Sequence, residues 1–320
     1  MKNILSSIVM FVVSVVVALG IGEAALRFKN ADMRNYDIEM WRYALELKKR
    51  SDDPVLGHDH QRSKSAVLQS VEIRTNELGL RGGPTPPVEP GQRRILFLGS
   101  SVTLGWGVPE KETVEARLQE MFKAQGDNVV VMNAGIGNYN AERYAQRFLT
   151  ELTATQPTDI VVHYFVRDAE KLDAGGGNWF LRNSQLAVTL WIAGSRLFGE
   201  SGEKSLVDHY KQVYEPSQPG YQAMLAALKR LKDYAASKNI RVYLAMTPDV
   251  HDLVDYKFDF IHERMKAVAG EDGFHYVDLL PAMRDLKPEQ LWSMPGDPHP
   301  NGLGHKLMAE ALFPALQLGK

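Results

Sequence analysis

Cysteine is absent from the 320 residues of the chain. The absence excludes a disulfide framework, a cysteine nucleophile and a cysteine-ligated metal. It also excludes the acylated N-terminal cysteine on which a lipoprotein anchor depends. Because a chain without cysteine is compatible with either the cytoplasm or the periplasm, its location has to be inferred from other features.

An excess of charge of either sign is also missing. The 37 lysines and arginines nearly balance the 39 aspartates and glutamates, which gives a formal net charge of -2. This balance gives no reason to expect nucleic acid or another polyanion as a partner. The hydrophobic content of 44% is sufficient for one medium-sized α/β domain with extensions.

One long hydrophobic run extends from Ile4 to Gly22 and ends at Glu23. It is uncharged and about as long as the ~20 residues that cross a bilayer core. Residues 1–29 are therefore interpreted as an uncleaved signal anchor. A cleaved signal peptide is the competing interpretation, because Ala18 is small enough for a cleavage site. A buried core helix is disfavoured by the polar flanks of the run.

Both export interpretations place the rest of the chain outside the cytoplasm. We expect a protein that is anchored in the inner membrane and faces the periplasm, or an exported protein if the N-terminal segment is cleaved.

Residues 30–92 are interpreted as an irregular N-terminal extension and linker, in which Val71–Arg74 alternates like a short strand. The loop Gly82–Gly91, rich in glycine and proline, leads into the main domain, residues 93–320. Within that domain, residues 173–220 are weakly periodic. They are interpreted as an insertion over the carboxyl edge of the sheet, where ligands bind in open α/β folds.

The main domain alternates short apolar runs with helical patterns. The predicted strands are Arg94–Gly99, Asn128–Asn133, Asp159–Phe165, Ile240–Met246 and His275–Leu279. The predicted helices are Thr113–Ala124, Ala141–Thr153, Tyr221–Lys238 and Gly304–Phe313, and Pro314 should end or kink the last one. Uninterrupted apolar strands between helices predict a three-layer α/β/α sandwich with a mostly parallel sheet of about five strands.

A serine-containing loop, Gly99–Gly107, follows the first predicted strand. A serine at this position lies at the carboxyl edge of the sheet, where glycines allow tight turns and a nucleophile can be exposed. Ser100 and Ser101 are the candidates. An ordinary strand-to-helix loop with capping serines is the alternative on composition alone.

The base that such a nucleophile requires is predicted in a loop near the end of the chain. Asp297 and His299 are close enough to meet through the histidine Nδ1, which leaves Nε2 free for a serine. His305 begins the last helix and is interpreted as structural. A metal site made of these three residues lacks a further ligand and is disfavoured. Asp278, after the fifth strand, is the alternative acid.

Four segments, in order along the chain, resemble the conserved blocks of SGNH (GDSL-like) hydrolases. Arg94–Val108 is similar to the first block, in which the third residue of a Gly-Asp-Ser-type triplet is the nucleophile, and this resemblance implies Ser101 rather than Ser100. Asn133–Asn140, Tyr164–Glu170 and Asp297–His305 are similar to the other three blocks. The resemblance implies an SGNH hydrolase-like, flavodoxin-like fold, with His299 as the base and Asp297 as the acid.

The resemblance also implies an oxyanion hole and shows where the chain departs from the family. The backbone N–H groups of Ser101 and Asn138 would be donors, with Asn138 at the position of the family's glycine. Arg167 stands where the family has an asparagine whose amide donates to the oxyanion. Its guanidinium is also a donor, but it is longer and permanently charged. Arg167 is therefore compatible with an altered acyl pocket, an anionic substrate or a weakened enzyme.

The leading functional hypothesis is a serine esterase that removes a small, acetyl-like acyl group from a carbohydrate or exopolysaccharide, without a metal or organic cofactor. The spacing Asp297-Pro298-His299 also resembles the Asp-x-His motif of alginate-acetyltransferase-like SGNH proteins. A polysaccharide O-acyltransferase with the same triad is therefore the first alternative. A catalytically weakened glycan-binding protein on this scaffold is the second.

The segment Thr75–Gly82 and the N-terminal anchor resemble those of exported, membrane-tethered relatives. The expected partners are therefore an acylated carbohydrate and the membrane.

Overall fold

A computed structural model describes residues 2–173, 178–198, 206–295 and 297–318. Positions 174–177 and 199–205 of the predicted insertion lie outside the described residues, as does position 296. The helices are α1 (Lys2–Lys29), α2 (Tyr36–Glu46), α3 (Ser101–Leu104), α4 (Val114–Ala124), α5 (Ala141–Arg147), α6 (Trp179–Asn183), α7 (Gln185–Phe198), α8 (Leu206–Val213), α9 (Pro219–Lys238), α10 (Asp259–Asp272) and α11 (Gly302–Leu318). The strands are β1 (Lys48–Arg50), β2 (His58–His60), β3 (Ser65–Leu68), β4 (Val71–Arg74), β5 (Arg93–Gly99), β6 (Val129–Asn133), β7 (Asp159–Phe165), β8 (Arg241–Thr247), β9 (His275–Asp278), β10 (Trp292–Met294) and β11 (Asp297–Pro300).

The central sheet has five strands in the order β6-β5-β7-β8-β9, and every neighbouring pair is parallel. The inner strands are continuous apolar runs because both faces of a parallel sheet are covered. Helices α4, α5, α9, α10 and α11 contact these strands. The predicted fold class, an α/β/α sandwich with a parallel sheet of five strands, is confirmed.

Two helices end at residues other than those predicted. Helix α5 ends at Arg147, and the chain continues to Thr155 in a π-helical turn and a 3-10 turn. Helix α11 does not end at Pro314 but continues to Leu318. Pro314 is exposed, so the backbone carbonyl four residues earlier, which loses its N–H partner, is on the side of the helix that water can reach.

Residues 46–92, which we call the hairpin segment, are more ordered than the sequence predicts. Strands β1 and β2 form one antiparallel hairpin, and β3 and β4 form a second one. In the second hairpin Leu68 pairs with Val71, so Gln69 and Ser70 form a two-residue turn. Both have positive φ, 49° and 63°, which is the conformation of a type I′ turn. Glycine or asparagine usually occupies such positions.

The described chain divides into two compact units, and the hairpin segment, the sheet and the helices from α3 to α5 and from α8 to α11 form the larger one. Residues 2–45 and 178–198 form the smaller unit. Its helix α1 is long and apolar enough to cross a membrane, and its apolar stretch is unburied. The Glu23 carboxylate, at the end of the apolar run, accepts hydrogen bonds from the backbone N–H groups of Gln185 (3.1 Å) and Leu186 (2.9 Å). It therefore caps the N-terminus of α7.

Candidate active site

The candidate nucleophile, Ser101, comes two residues after the end of strand β5. The strand ends at Gly99, and Ser101 is the first residue of the short helix α3. A Cβ atom at Gly99 would lie 1.9 Å from the Thr103 hydroxyl oxygen, so the turn from strand to helix requires glycine at this position. Gly105 ends the helix with a φ of 74°. These turns place Ser101 at the carboxyl edge of the sheet.

The β10–β11 hairpin brings His299 to this serine. His299 Nε2 lies 2.8 Å from Ser101 Oγ, and His299 Nδ1 lies 2.5 Å from Asp297 Oδ1. The backbone N–H of His299 also donates to Asp297 Oδ1, at 3.1 Å. The three side chains therefore form a continuous hydrogen-bonded series that has the geometry of a Ser-His-Asp triad.

The Asp297 carboxylate is held in its ionised form although it is buried. Its residue is only 1% exposed. Burial alone would raise the pKa of Asp297, but the hydrogen bond and electrostatic interaction with His299 and the hydrogen bond from Gln69 lower it below its ordinary value. An ionised carboxylate accepts the Nδ1–H of His299 and keeps Nε2 available as a proton acceptor for Ser101.

Gln69 is a member of this site that the sequence does not reveal. From the turn of the β3–β4 hairpin, its side-chain amide donates to Asp297 Oδ2 at 2.7 Å. A Cβ atom at Gly107 would lie 2.3 Å from Gln69 Oε1, so Gly107 is required for the side chain to reach the acid. Both oxygens of Asp297 thus have a donor, one from His299 and the other from Gln69.

Arg81 holds the loop that follows the nucleophile. Its guanidinium donates to the backbone carbonyl of Gly105 at 2.7 Å and to that of Val108 at 2.5 Å, and it also donates to the carbonyl of Leu104. Arg81 is 6% exposed, and its own backbone N–H donates to the Asn133 carbonyl at 2.9 Å. The resemblance of Thr75–Gly82 to exported relatives does not predict this contact between Arg81 and the loop after Ser101.

The loop that follows β6 runs beside the nucleophile loop. The N–H of Ala134 donates to the Phe97 carbonyl at 2.9 Å, and the N–H of Ile136 donates to the Gly99 carbonyl at 3.2 Å. Asn138 comes two residues later, is exposed and has a φ of 64°. No described residue accepts a hydrogen bond from the N–H of Asn138 or from that of Ser101. Both N–H groups are available to a ligand.

Arg167, after strand β7, forms an ion pair with Glu170. The Arg167 guanidinium lies 3.2 Å from Glu170 Oε2, and the arginine side chain is 55% exposed. Glu170 also contacts His209, at 3.1 Å. The Arg167 Nε and Nη2 groups both donate to Glu170 Oε2, at 3.3 Å and 3.2 Å.

The remaining candidates have other partners. The His305 Nδ1 accepts from the Val114 N–H at 3.2 Å, at the start of α4. Asp278 contacts His262 at 2.9 Å rather than His299. Within the described part of the chain, no three acidic or histidine side chains are arranged to hold a metal ion. Trp106, next to the nucleophile helix, is 1% exposed and is packed in the interior.

A second Asp-x-His pair follows strand β8. His251 Nδ1 lies 2.7 Å from Asp249 Oδ1, and the His251 backbone N–H donates to the same oxygen at 2.9 Å. The hydrogen bond from Asp249 outweighs burial and raises the pKa of His251, and the charges of Asp249 and Asp297 add to the effect. Trp292 of β10 donates to the Val250 carbonyl at 2.8 Å. This exposed imidazole therefore belongs to the rim of the same sheet edge.

Comparison with solved structures finds esterases and hydrolases that are less than 20% identical to this chain. An acetyl-xylooligosaccharide esterase from Geobacillus Stearmophilus is 17% identical, with a TM-score of 0.45 over 71% of this chain and 94% of the other. A psychrotrophic esterase from Pseudoalteromonas is 16% identical, with a TM-score of 0.42 over 71% and 98%. An alpha/beta hydrolase from the metagenome of Lake Arreo is also 16% identical, with a TM-score of 0.47 over 72% and 97%.

Comparison with curated protein sequences finds no match. The sequence model of the GDSL-like Lipase/Acylhydrolase family matches residues 97–307, which is more than half of the chain. The matched range begins inside β5, before Ser101, and ends in α11, after His299. The chain belongs to the GDSL-like lipase/acylhydrolase family.

Proposed function

We propose that this chain is a serine esterase that removes a small acyl group, such as acetyl, from a carbohydrate or exopolysaccharide. The observation that carries the proposal is the hydrogen-bonded series Ser101–His299–Asp297, with distances of 2.8 Å and 2.5 Å between its members. A serine hydroxyl is a weak nucleophile, and a positioned imidazole is the group that activates it. Membership in an acylhydrolase family is consistent with this chemistry.

The proposed reaction has two halves. Ser101 Oγ attacks the ester carbonyl while His299 Nε2 takes its proton, and the tetrahedral intermediate collapses when His299 gives that proton to the leaving alcohol. Water, deprotonated by His299, then attacks the acyl-serine and releases the carboxylic acid. Asp297 keeps the Nδ1–H tautomer and stabilises the imidazolium. The N–H groups of Ser101 and Asn138 are the proposed oxyanion donors, and Arg167 is a third candidate.

The rim of the site supports a polar alcohol as the leaving group. Asn138, Arg167 and His251 follow strands β6, β7 and β8 at the carboxyl edge, and all three side chains carry hydrogen-bonding groups that solvent reaches. A sugar presents several hydroxyls that such groups can bind. We also propose that the chain is held on a membrane and faces the periplasm, and the length and apolar composition of α1 support the membrane part of this location.

The test is active-site labelling followed by a deacetylation screen, both on the full-length protein in detergent. We expect a fluorophosphonate probe to label Ser101 and the protein to release acetate from p-nitrophenyl acetate and from acetylated polysaccharides. Ser101→Ala should abolish both signals, whereas Ser100→Ala, a matched change at the preceding residue, should retain labelling. If wild-type protein is neither labelled nor active, a glycan-binding protein is the better description.

Acyl transfer is tested in the same preparation. The acyl-serine is common to both reactions, and only the acceptor differs, water in one and a sugar hydroxyl in the other. Acylated glycan formed from an acyl donor plus unmodified polysaccharide, at a rate above that of acetate release, would identify an O-acyltransferase.

A further inference from the structure

The peptide that joins Gly137 to Asn138 is held by two side chains of the hairpin segment. The Gly137 carbonyl oxygen lies 2.8 Å from Lys48 Nζ and 3.0 Å from His58 Nε2. Lys48 is on β1 and His58 is on β2, where His58 pairs with Arg50. Since side chains two residues apart share a face of a strand, Lys48 and His58 are diagonal neighbours on one face of the hairpin.

Both contacts are donations to the carbonyl. A carbonyl oxygen has two lone pairs and can only accept, so the two donors satisfy it fully. Burial, with the nearby positive charge of Lys48, lowers the pKa of His58 to about 3, so its ring is neutral and carries a proton on Nε2. Burial and the charge of Arg143 lower the pKa of Lys48 to about 7. The Tyr139 hydroxyl donates to the His58 carbonyl at 2.5 Å and ties the hairpin to the same loop.

The direction of this carbonyl fixes the direction of the Asn138 N–H. All described peptide bonds are trans, and in a trans peptide the C=O and N–H point in opposite directions. The N–H groups of Ala134 and Ile136, two and four residues earlier, donate to Phe97 and Gly99 on the nucleophile strand. The N–H of Asn138 has no acceptor among the described residues, and in the proposed function it is a donor to the oxyanion formed at Ser101.

We propose that Lys48 and His58 are positioning residues of the oxyanion hole, because by holding the Gly137 carbonyl they keep the N–H of Asn138 directed at the ester oxygen bound beside Ser101. The proposal rests on the proposed function, in which Ser101 is the nucleophile. Asn138 has a left-handed φ of 64°, which non-glycine residues adopt at some cost. Removal of both donors removes these two contacts of the Gly137 carbonyl, and a rotated peptide would turn its oxygen towards the developing negative charge.

The experiment compares hairpin variants of the full-length protein. Lys48→Met and His58→Leu each remove one of the two donors to the Gly137 carbonyl. Lys48→Arg and His58→Gln each retain an N–H donor at the substituted position. Lys49→Met is the matched control, because Lys49 is the adjacent, exposed lysine of the same strand. For each variant, kcat and KM for p-nitrophenyl acetate and the rate of Ser101 phosphonylation are measured, since the phosphonate oxygen occupies the same hole.

Loss of one oxyanion donor typically lowers kcat by about 10²–10³-fold. We expect Lys48→Met and His58→Leu to lower kcat and the phosphonylation rate by about 10-fold to 10²-fold, because each leaves the other donor in place, with KM changed by less than about threefold. Lys48→Arg and His58→Gln should restore most of the rate, and Lys49→Met should match the wild type. A kcat within twofold of wild type in both donor-removing variants overturns the proposal.

A crystal structure of the Lys48→Met/His58→Leu double variant supplies a readout that does not depend on turnover. We expect the Gly137 carbonyl to turn away from its present direction. An unchanged peptide overturns the proposal even if activity falls. Wild-type protein that is neither labelled nor active would instead refute the proposed function, and the orientation of the peptide would still decide whether the two side chains hold it.

Discussion

Replacing Gln69 tests whether the acid of the proposed triad depends on the hairpin segment. The Gln69 amide is the donor at 2.7 Å to Asp297 Oδ2, and Asp297 is 1% exposed. In Gln69→Leu that carboxylate oxygen loses its donor in a site that water does not readily reach. A hydrogen bond to a charged group contributes about 1.5–3 kcal/mol, and every 1.36 kcal/mol corresponds to a factor of 10 in rate.

The imidazolium of His299 forms only in the transition state, so an ionised and correctly oriented Asp297 contributes most to stability there. Loss of the Gln69 hydrogen bond is therefore expected to lower kcat/KM by about 10–10²-fold. The change should be mostly in kcat, because Gln69 contacts the acid and not the proposed substrate region. Gln69→Glu is the more severe substitution: a second carboxylate beside Asp297 raises the pKa of both, since like charges disfavour ionisation. Its rate profile should therefore lose activity at a higher pH on the acidic side than that of the wild type.

The assay is hydrolysis of p-nitrophenyl acetate between pH 5 and 9 by full-length protein in detergent, together with the rate of Ser101 phosphonylation. Glu72→Gln, on the exposed face of the same hairpin, is the control for a general effect on the hairpin. If Gln69→Leu keeps kcat/KM within twofold of wild type while thermal stability is unchanged, the hydrogen bond does not serve catalysis, and the reasoning from the distance fails.

Three other substitutions test separate parts of the structure. Arg167→Ala should lower kcat less than tenfold, because the guanidinium is 55% exposed and paired with Glu170; a loss of about 10²–10³-fold would identify it as an oxyanion donor. Asp159→Asn, which breaks buried contacts at 2.8 Å to Arg93 and Arg241, should lower the free energy of unfolding by about 3 kcal/mol. Because the pKa of Asp159 is lowered in the folded state, by contacts with both arginines that outweigh burial, this difference should be present above about pH 4 and disappear as the pH falls through the folded-state pKa. Helix α7 packs against α1, and its Trp191 side chain is 64% exposed, so we expect α7 to contact lipid. In nanodiscs that contain brominated lipid, Trp191→Phe should therefore reduce the quenching of tryptophan fluorescence, whereas Trp106→Phe, at a buried residue, should not. Equal quenching in both variants would contradict contact of α7 with lipid.

The parallel sheet was predictable because its signal is local. Each inner strand is a short apolar run that is buried on both faces, and the bounds predicted for Asp159–Phe165 are those observed. The same locality explains the errors. Pro314 predicts the end of a helix from local sequence alone. The helix nevertheless continues because the proline lies on its solvent-facing side. The opposite side of the helix is fixed by the burial of Leu312 and Leu316, which is a property of the folded chain.

The proposed triad could be predicted from the sequence because Asp297 and His299 are two residues apart and Ser101 follows a strand. The contacts of Gln69 and Lys48 could not be predicted in this way. Gln69 reaches Asp297 across 228 positions of the chain, and a polar residue in a short turn has no feature that marks such a contact. Its left-handed φ is unusual for glutamine, but that strain is visible only in the folded chain.

The contact of Arg81 with three carbonyls of the nucleophile loop has a consequence for how relatives are recognised. Arg81, like Lys48 and Gln69, precedes the range 97–307 that the family shares. A relative that aligned well over that range but began with a different leading segment would have the proposed triad without the contacts that hold its backbone here. Such chains would have to recruit other donors for the same carbonyls, so the ancestry of the leading segment should be traced together with that of the catalytic domain.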